Sequence, residues 1–191
     1  MIVASDLQKL FAGQLERIKD KELSSKTVEV WVQGCKEGGW ASVQELLSLP
    51  FTLLTDTKGI NLIEHTIAVA EGAFGLARAQ EQAYQSMPYV INYDRLIVGA
   101  LLHDVGKLIE AEKDPKQGFR MSQAGRYARH PISGAILAAR CGLPDDIINT
   151  IACHAKEGEG APRVVETVLI HQADFATFDP LVLLAKSQLI V

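Results

Sequence analysis

The run Leu96-Ile97-Val98-Gly99-Ala100-Leu101-Leu102 contains no polar side chain and leads directly into His103-Asp104. A helix that is apolar all round belongs in a protein interior. This one therefore carries an imidazole and a carboxylate into the core at its end. Neighbouring helical residues point about 100° apart, so both side chains serve one site only if other groups converge on them. A buried charge is costly unless it is paired or bound to a metal. Gly106 lets the chain turn, and Lys107 follows within reach. The plainest alternative is a His-Asp hydrogen bond closing a helix. Either way, the chain must wrap other elements around this segment and supply partners for the pair.

The totals narrow what those elements are. At 191 residues, 48% hydrophobic and 22% charged, the chain is expected to form one domain with a full core, at most with a small extension. A net charge of −4 argues against general nucleic-acid binding. Cys35, Cys141 and Cys153 are odd in number and lack Cys-x-x-Cys spacing, which suggests free thiols in a reducing compartment. The N-terminal residues show no basic segment leading into an apolar one, and no unbroken apolar run approaches the roughly 18 residues of a membrane span. A cytoplasmic protein without a membrane partner is expected.

Along the chain, helical periodicity dominates. Ser5 with Gln8 has capping-box spacing ahead of Leu7, Leu10, Phe11, Leu15 and Ile18. A second helix is predicted from near Ser25, with Val28, Trp31, Val32 and Cys35 on one face and Gly38-Gly39 as its stop. Ser42 with Glu45 opens a third, ended by Pro50. Residues 1–58 are thus predicted to be an N-terminal helical extension ahead of a main body over 59–191. Asn61 with Glu64 caps a helix that runs to about Gln85, and Asn92 caps the one ending at His103-Asp104. From Glu110 to Arg129 the chain is polar and basic, predicted as a loop or broken helix. Pro131 suits a first helical position, which puts His130 at the start of a helix that Gly142 stops. Pro144 opens a helix that reaches His154. Pro162 opens one carrying Asp174, and Pro180 is expected to separate a last apolar helix. No alternation predicts a strand, so the expected class is all-α.

Four of the five histidines (His65, His103, His130, His154) fall at helix ends or first turns, one to a helix. With Asp104 and Asp174 they make six potential ligands, enough for two metal ions. Imidazole and carboxylate suit iron, manganese, zinc, cobalt or nickel better than magnesium or calcium.

Glu64-His65-Thr66, Leu101-Leu102-His103-Asp104-Val105-Gly106-Lys107, His130-Pro131 with Gly134-Ala135, His154 and Ala173-Asp174 occur in the order of the HD-domain superfamily of metal-dependent phosphohydrolases. The chain resembles that superfamily over about residues 59–178. The resemblance implies an HD-domain helical bundle in which His65, His103, Asp104 and Asp174 hold one divalent ion, iron or manganese foremost. His130 and His154 would hold a second, with Asp104 bridging. Asp104 and Lys107 would be catalytic, with Lys107 facing the substrate phosphate. The implied reaction is cleavage of a phosphate ester or anhydride of a small nucleotide-like substrate by a metal-bound hydroxide. Arg120, Arg126 and Arg129 are candidates to clamp further phosphates; a solvated basic loop is the alternative.

Departures narrow the substrate. Cys153 stands where the cyclic-dinucleotide phosphodiesterases of the superfamily have a histidine, and Gly160-Ala161-Pro162 lacks their tyrosine. The spacing from His154 to Asp174 and the Ala173-Asp174-Phe175 context resemble superfamily enzymes acting on dinucleoside polyphosphates. The Glu64-His65-Thr66 region is also similar to the HD modules of exoribonucleases. His171 is unmatched and is read as structural. Two other functions share the ligand set: a mixed-valent di-iron oxygenase, and a regulatory domain that binds a ligand without turnover. A homo-oligomer is compatible with all three.

Overall fold

The computed structural model describes residues 1–190. The chain opens with α1 (Ala4–Leu10), α2 (Ala12–Leu15) and α3 (Lys21–Gly38), followed by the single-turn α4 (Val43–Leu46). Two expected starts move. Ser5 is not a cap: it lies inside α1, whose cap position falls two residues earlier at Val3, whose N–H donates to Asp6 Oδ2 at 3.0 Å. α3 starts ahead of Ser25 because the Asp20 carboxylate accepts from the N–H groups of Glu22 and Leu23 and so caps the helix five residues earlier. Its stop lies as expected, with Gly39 left-handed at φ 76°.

α5 (Leu62–Ala83) opens on the reciprocal cap foreseen in the sequence. Asn61 Oδ1 accepts from Ile63 and Glu64, and Glu64 Oε2 accepts from Asn61. Asn92 caps α6 (Tyr93–Leu102). Every residue from Leu96 to Asp104 is buried, and α3, α5, α10 (Asp145–Cys153) and α11 (Val165–Ala185) pack around this helix. The apolar run is thus the central rod of the molecule.

The N-terminal segment shares that core. Trp31 Nε1 donates to the Leu101 carbonyl at 2.9 Å, and Trp40 Nε1 to Leu108 at 2.8 Å. Both indoles place a large apolar area inside and still satisfy their one donor.

After α6 the chain forms α7 (Lys107–Glu110). Gly106 precedes it with an ordinary helical φ of −63°, so turning is not why a glycine stands there. A Cβ on Gly106 would run into the His130 carbonyl and the Gly134 amide, and its absence lets α7 lie against α9 (His130–Arg140). The polar stretch from 110 to 129 is not a loop. β1 (Ala111–Asp114) and β2 (Gly118–Met121) form an antiparallel hairpin with Ala111 opposite Met121, and α8 (Gln123–Tyr127) follows.

Pro180 does not end a helix either. α11 runs through it to Ala185; Pro180 is exposed, so the carbonyl it leaves unpaired one turn earlier can meet water. By length and composition α11 could cross a membrane, with a mean hydropathy of 1.3, although no single apolar run predicts this. In the fold it packs along α5 and brings Asp174 inward. Apart from the hairpin, the described architecture is the expected all-α bundle.

Candidate metal centre

Four helices and the end of α6 deliver the site. His65 comes from the first turn of α5, His103 and Asp104 follow α6, His130 opens α9, His154 follows α10 and Asp174 lies in α11. All but Asp174 are buried, and Asp104 is 1% exposed. The six expected ligands come together in two groups sharing one residue. His65, His103, Asp104 and Asp174 form one, and Asp104, His130 and His154 the other; within each group the ligand atoms lie within 4.8 Å of one another.

Asp104 divides its oxygens between the groups. Oδ2 lies 3.3 Å from both His65 Nε2 and His103 Nε2. Oδ1 lies 3.2 Å from His130 Nε2 and 3.6 Å from His154 Nε2. Asp174 Oδ1 is 3.1 Å from His65 Nε2. Lys107 Nζ donates to Asp104 Oδ2 at 2.6 Å.

The opposite edge of each imidazole fixes its tautomer, since a carbonyl or carboxylate only accepts. His103 Nδ1 faces the Ala100 carbonyl at 2.7 Å, and His154 Nδ1 the Ile151 carbonyl at 2.8 Å. His130 Nδ1 faces Glu110 Oε2 at 3.0 Å. His65 Nδ1 faces Thr177 Oγ1 at 3.2 Å, and that hydroxyl already gives its proton to the Asp174 carbonyl. All four Nδ1 atoms therefore carry the ring proton. The four Nε2 lone pairs point inward, where His65 Nε2 and His103 Nε2 approach to 3.4 Å. Neutral imidazole lone pairs facing one another with a carboxylate between them are a cation's donor set. Two atoms repeat the point: Asp104 Oδ1 and His154 Nε2 are buried and hydrogen-bond to nothing among the described residues. The residues present fit a divalent transition metal.

Electrostatics support that fit. Burial pushes the Asp104 carboxyl up, but Lys107 and the His103 imidazole hold it well below the usual carboxylate range. Asp174 is likewise raised by burial and then pulled down to about 2, chiefly by His65. Burial lowers the His130 imidazole, with Glu110 opposing, which favours the neutral form that a metal needs. His65 is lowered by burial but ends raised through Asp104 and Asp174.

Three contributors carry no sequence signal of their own. Glu110, at the end of α7, accepts from His130 through both ring and backbone N–H groups and from Arg129 Nε. Phe51 stacks on His65, with centroids 4.2 Å apart and planes at 16°. Thr177 orients His65. Apart from these three, His171, read from the sequence as structural, donates from Nδ1 to the His154 carbonyl at 2.6 Å, holding the ligand-bearing turn. Among the candidate arginines, only Arg129 borders the cavity beside the site. Arg120 pairs with Glu112 and Asp114 on the hairpin and shares a separate groove with Arg126.

The HD domain profile matches residues 62–177. Ribonuclease Y of Thermotoga petrophila is 30% identical over 179 residues, covering 88% of this chain and 31% of that protein. The dihydroneopterin 2′,3′-cyclic phosphate phosphodiesterase of Methanocaldococcus jannaschii is 28% identical over 170 residues, covering 84% of this chain and 65% of that protein. This chain thus spans about a third of the length of the Thermotoga relatives it matches. No solved structure matches significantly. The profile takes in more than half of the chain and ligand residues from each of the five elements named above, and the chain belongs to the HD-domain superfamily of metal-dependent phosphohydrolases.

Proposed function

We propose that this chain hydrolyses a phosphate ester of a nucleotide-like small molecule at a dinuclear centre held by His65, His103, Asp104 and Asp174 on one side and Asp104, His130 and His154 on the other. The observation that carries it is the convergence of four Nε2 lone pairs on both oxygens of one buried carboxylate. Divalent ions bound there act as Lewis acids, polarising the phosphoryl group and lowering the pKa of water. Around them the protein positions and neutralises. Lys107 stands at the cavity edge beside Asp104, where its ammonium offsets charge gathering on phosphoryl oxygens. Glu110 holds the His130 ring, and Phe51 covers the face of His65 against water. Relatives named ribonuclease Y and a cyclic phosphate phosphodiesterase both support attack at a phosphodiester.

Hydrolysis needs the ions only as Lewis acids, so manganese should serve and oxygen should be irrelevant. The test is manganese-reconstituted protein assayed anaerobically against cyclic nucleotides, dinucleoside polyphosphates, nucleotides and short RNA. Release of a phosphate monoester or of phosphate is the expected result. Turnover that appears only with iron and oxygen would replace this reading with the oxygenase.

A further inference from the structure

The cavity beside the ligands encloses about 280 Å³, near the lower end for small-molecule sites, which run from about 300 to 1,000 Å³. Asp174 and His130 border it, and its walls differ sharply in character. Phe51, Leu53 and Leu54 line it from one segment, with Phe175 and Phe178 from α11. The 51–54 segment lies ahead of the HD-matched residues, so this wall is not part of the matched HD domain. Phe178 meets Phe51 edge-on at 6.3 Å. Leu54 is 72% exposed and Leu53 40%, an apolar lip open to whatever enters.

The charged lining has little left for additional phosphates. Lys107 is paired with Asp104, and Arg129 with Glu110 at 3.2 Å and Glu157 at 3.9 Å. Lys107, Arg129 and Lys156 face Glu110, Glu157 and Asp174 across one cavity, so the lining adds no net positive charge. Arg120 and Arg126, the other candidates for gripping a phosphate chain, lie in the separate groove. A polyphosphate would need several cations where the wall offers hydrocarbon.

Resting on the hydrolase reading, we propose that the site selects a monoanionic phosphodiester bearing one aromatic ring, which sits against the Phe51–Leu54 lip and Phe178, and that it discriminates against polyphosphates. The ring supplies the apolar face these walls match; one phosphate can sit on the metal centre itself, and beyond it Lys107 and Arg129 are already paired, which leaves the lining little to hold a phosphate chain.

The experiment uses the full chain loaded with manganese. Calorimetry measures Kd for adenosine 2′,3′-cyclic phosphate, for ribose 2,3-cyclic phosphate lacking the base, and for diadenosine tetraphosphate; hydrolysis is followed in parallel. Stacking is worth about 1–3 kcal/mol per base, so the base-bearing cyclic phosphate should bind about tenfold or more tighter than the base-free one. It should also bind tighter than the tetraphosphate. In Leu54→Asp, whose exposed position leaves folding intact, the base-bearing to base-free ratio should fall about tenfold. Equal binding with and without the base, an unchanged ratio in Leu54→Asp, or tighter binding of the tetraphosphate would each overturn the proposal. Selective binding without cleavage of any phosphodiester would leave the selectivity standing and remove the hydrolase reading instead.

Discussion

Two polar clusters, each built on a buried carboxylate, sit at opposite ends of α6, and they follow opposite rules. At the N-terminal end Glu166, fully buried, accepts from the Asn92 N–H at 2.6 Å through Oε1 and from Arg95 Nη1 at 3.1 Å through Oε2. Arg95 turns its remaining donors to Asp146 at 2.7 and 2.5 Å. Both Glu166 oxygens are answered. At the C-terminal end Asp104 is equally buried, yet Oδ1 and the facing His154 Nε2 have no hydrogen bond among the described residues. A completed network stabilises and specifies the fold, whereas an incomplete one costs stability unless a ligand completes it. One helix thus carries a joint at one end and a receptor at the other.

The sharpest way to break this comparison is Asp104→Ala, which touches both ligand groups. It should lower metal content at both sites and cut turnover by at least about 10³-fold, and the metal-dependent rise in Tm should vanish. Elemental analysis with a melting curve in the presence and absence of manganese reads all of this. Retention of two ions would refute the shared-ligand role.

Glu166→Ala attacks the other cluster, leaving the Asn92 N–H and Arg95 short of a buried partner. About 3–5 kcal/mol of stability should be lost in urea unfolding, while metal content per folded molecule stays at the wild-type level. Lys107→Ala should lower kcat/KM by about 10²–10³-fold with little change in metal content; full activity would remove its role at the phosphate. Glu110→Ala should weaken ion binding by about 10–100-fold, mainly at the His130 and His154 group, as a two-site metal titration would resolve.

The smallest effect is in acid, on metal-free protein. Asp174 is held at about 2 against an ordinary 3.8. A depressed carboxyl contributes stability that is present above its unfolded value and lost as pH falls through the folded one. Wild type should therefore lose roughly 2 kcal/mol more than Asp174→Asn between pH 5 and pH 2. Parallel losses in urea titrations would show that His65 does not hold this group.

How much of this was legible depends on whether a residue announces its own chemistry. His103-Asp104 did, because an ionic pair after seven apolar residues has few uses, and the Asn61–Glu64 cap did, because its two hydrogen bonds are local. Glu110 did not: in a stretch shared with Glu112, Lys113 and Asp114 it looks like one more solvated charge. Its burial is decided by α9, contributed from 20 residues away. The hairpin escaped for a related reason. Ala111–Asp114 carries charge on both faces, and Gly118–Met121 alternates over only four residues, with Phe119 and Met121 on one face, too short a run to mark a strand; their pairing depends on a turn at Gly118, φ 79°. Pro180 misled because a proline stops a helix only where the freed carbonyl has no water to turn to.

The Thr177 hydroxyl that orients His65 reaches across 112 positions of chain. Such a bridge closes only when the first helix of the matched region and the last one have met. The ligand set therefore cannot assemble in fragments, and a cobalt ion, whose visible absorption reports its coordination, would be a clock for the whole folding reaction. Colour should develop with the final, long-range closure of the bundle rather than with the early appearance of helix, separating topology from secondary structure in one stopped-flow trace.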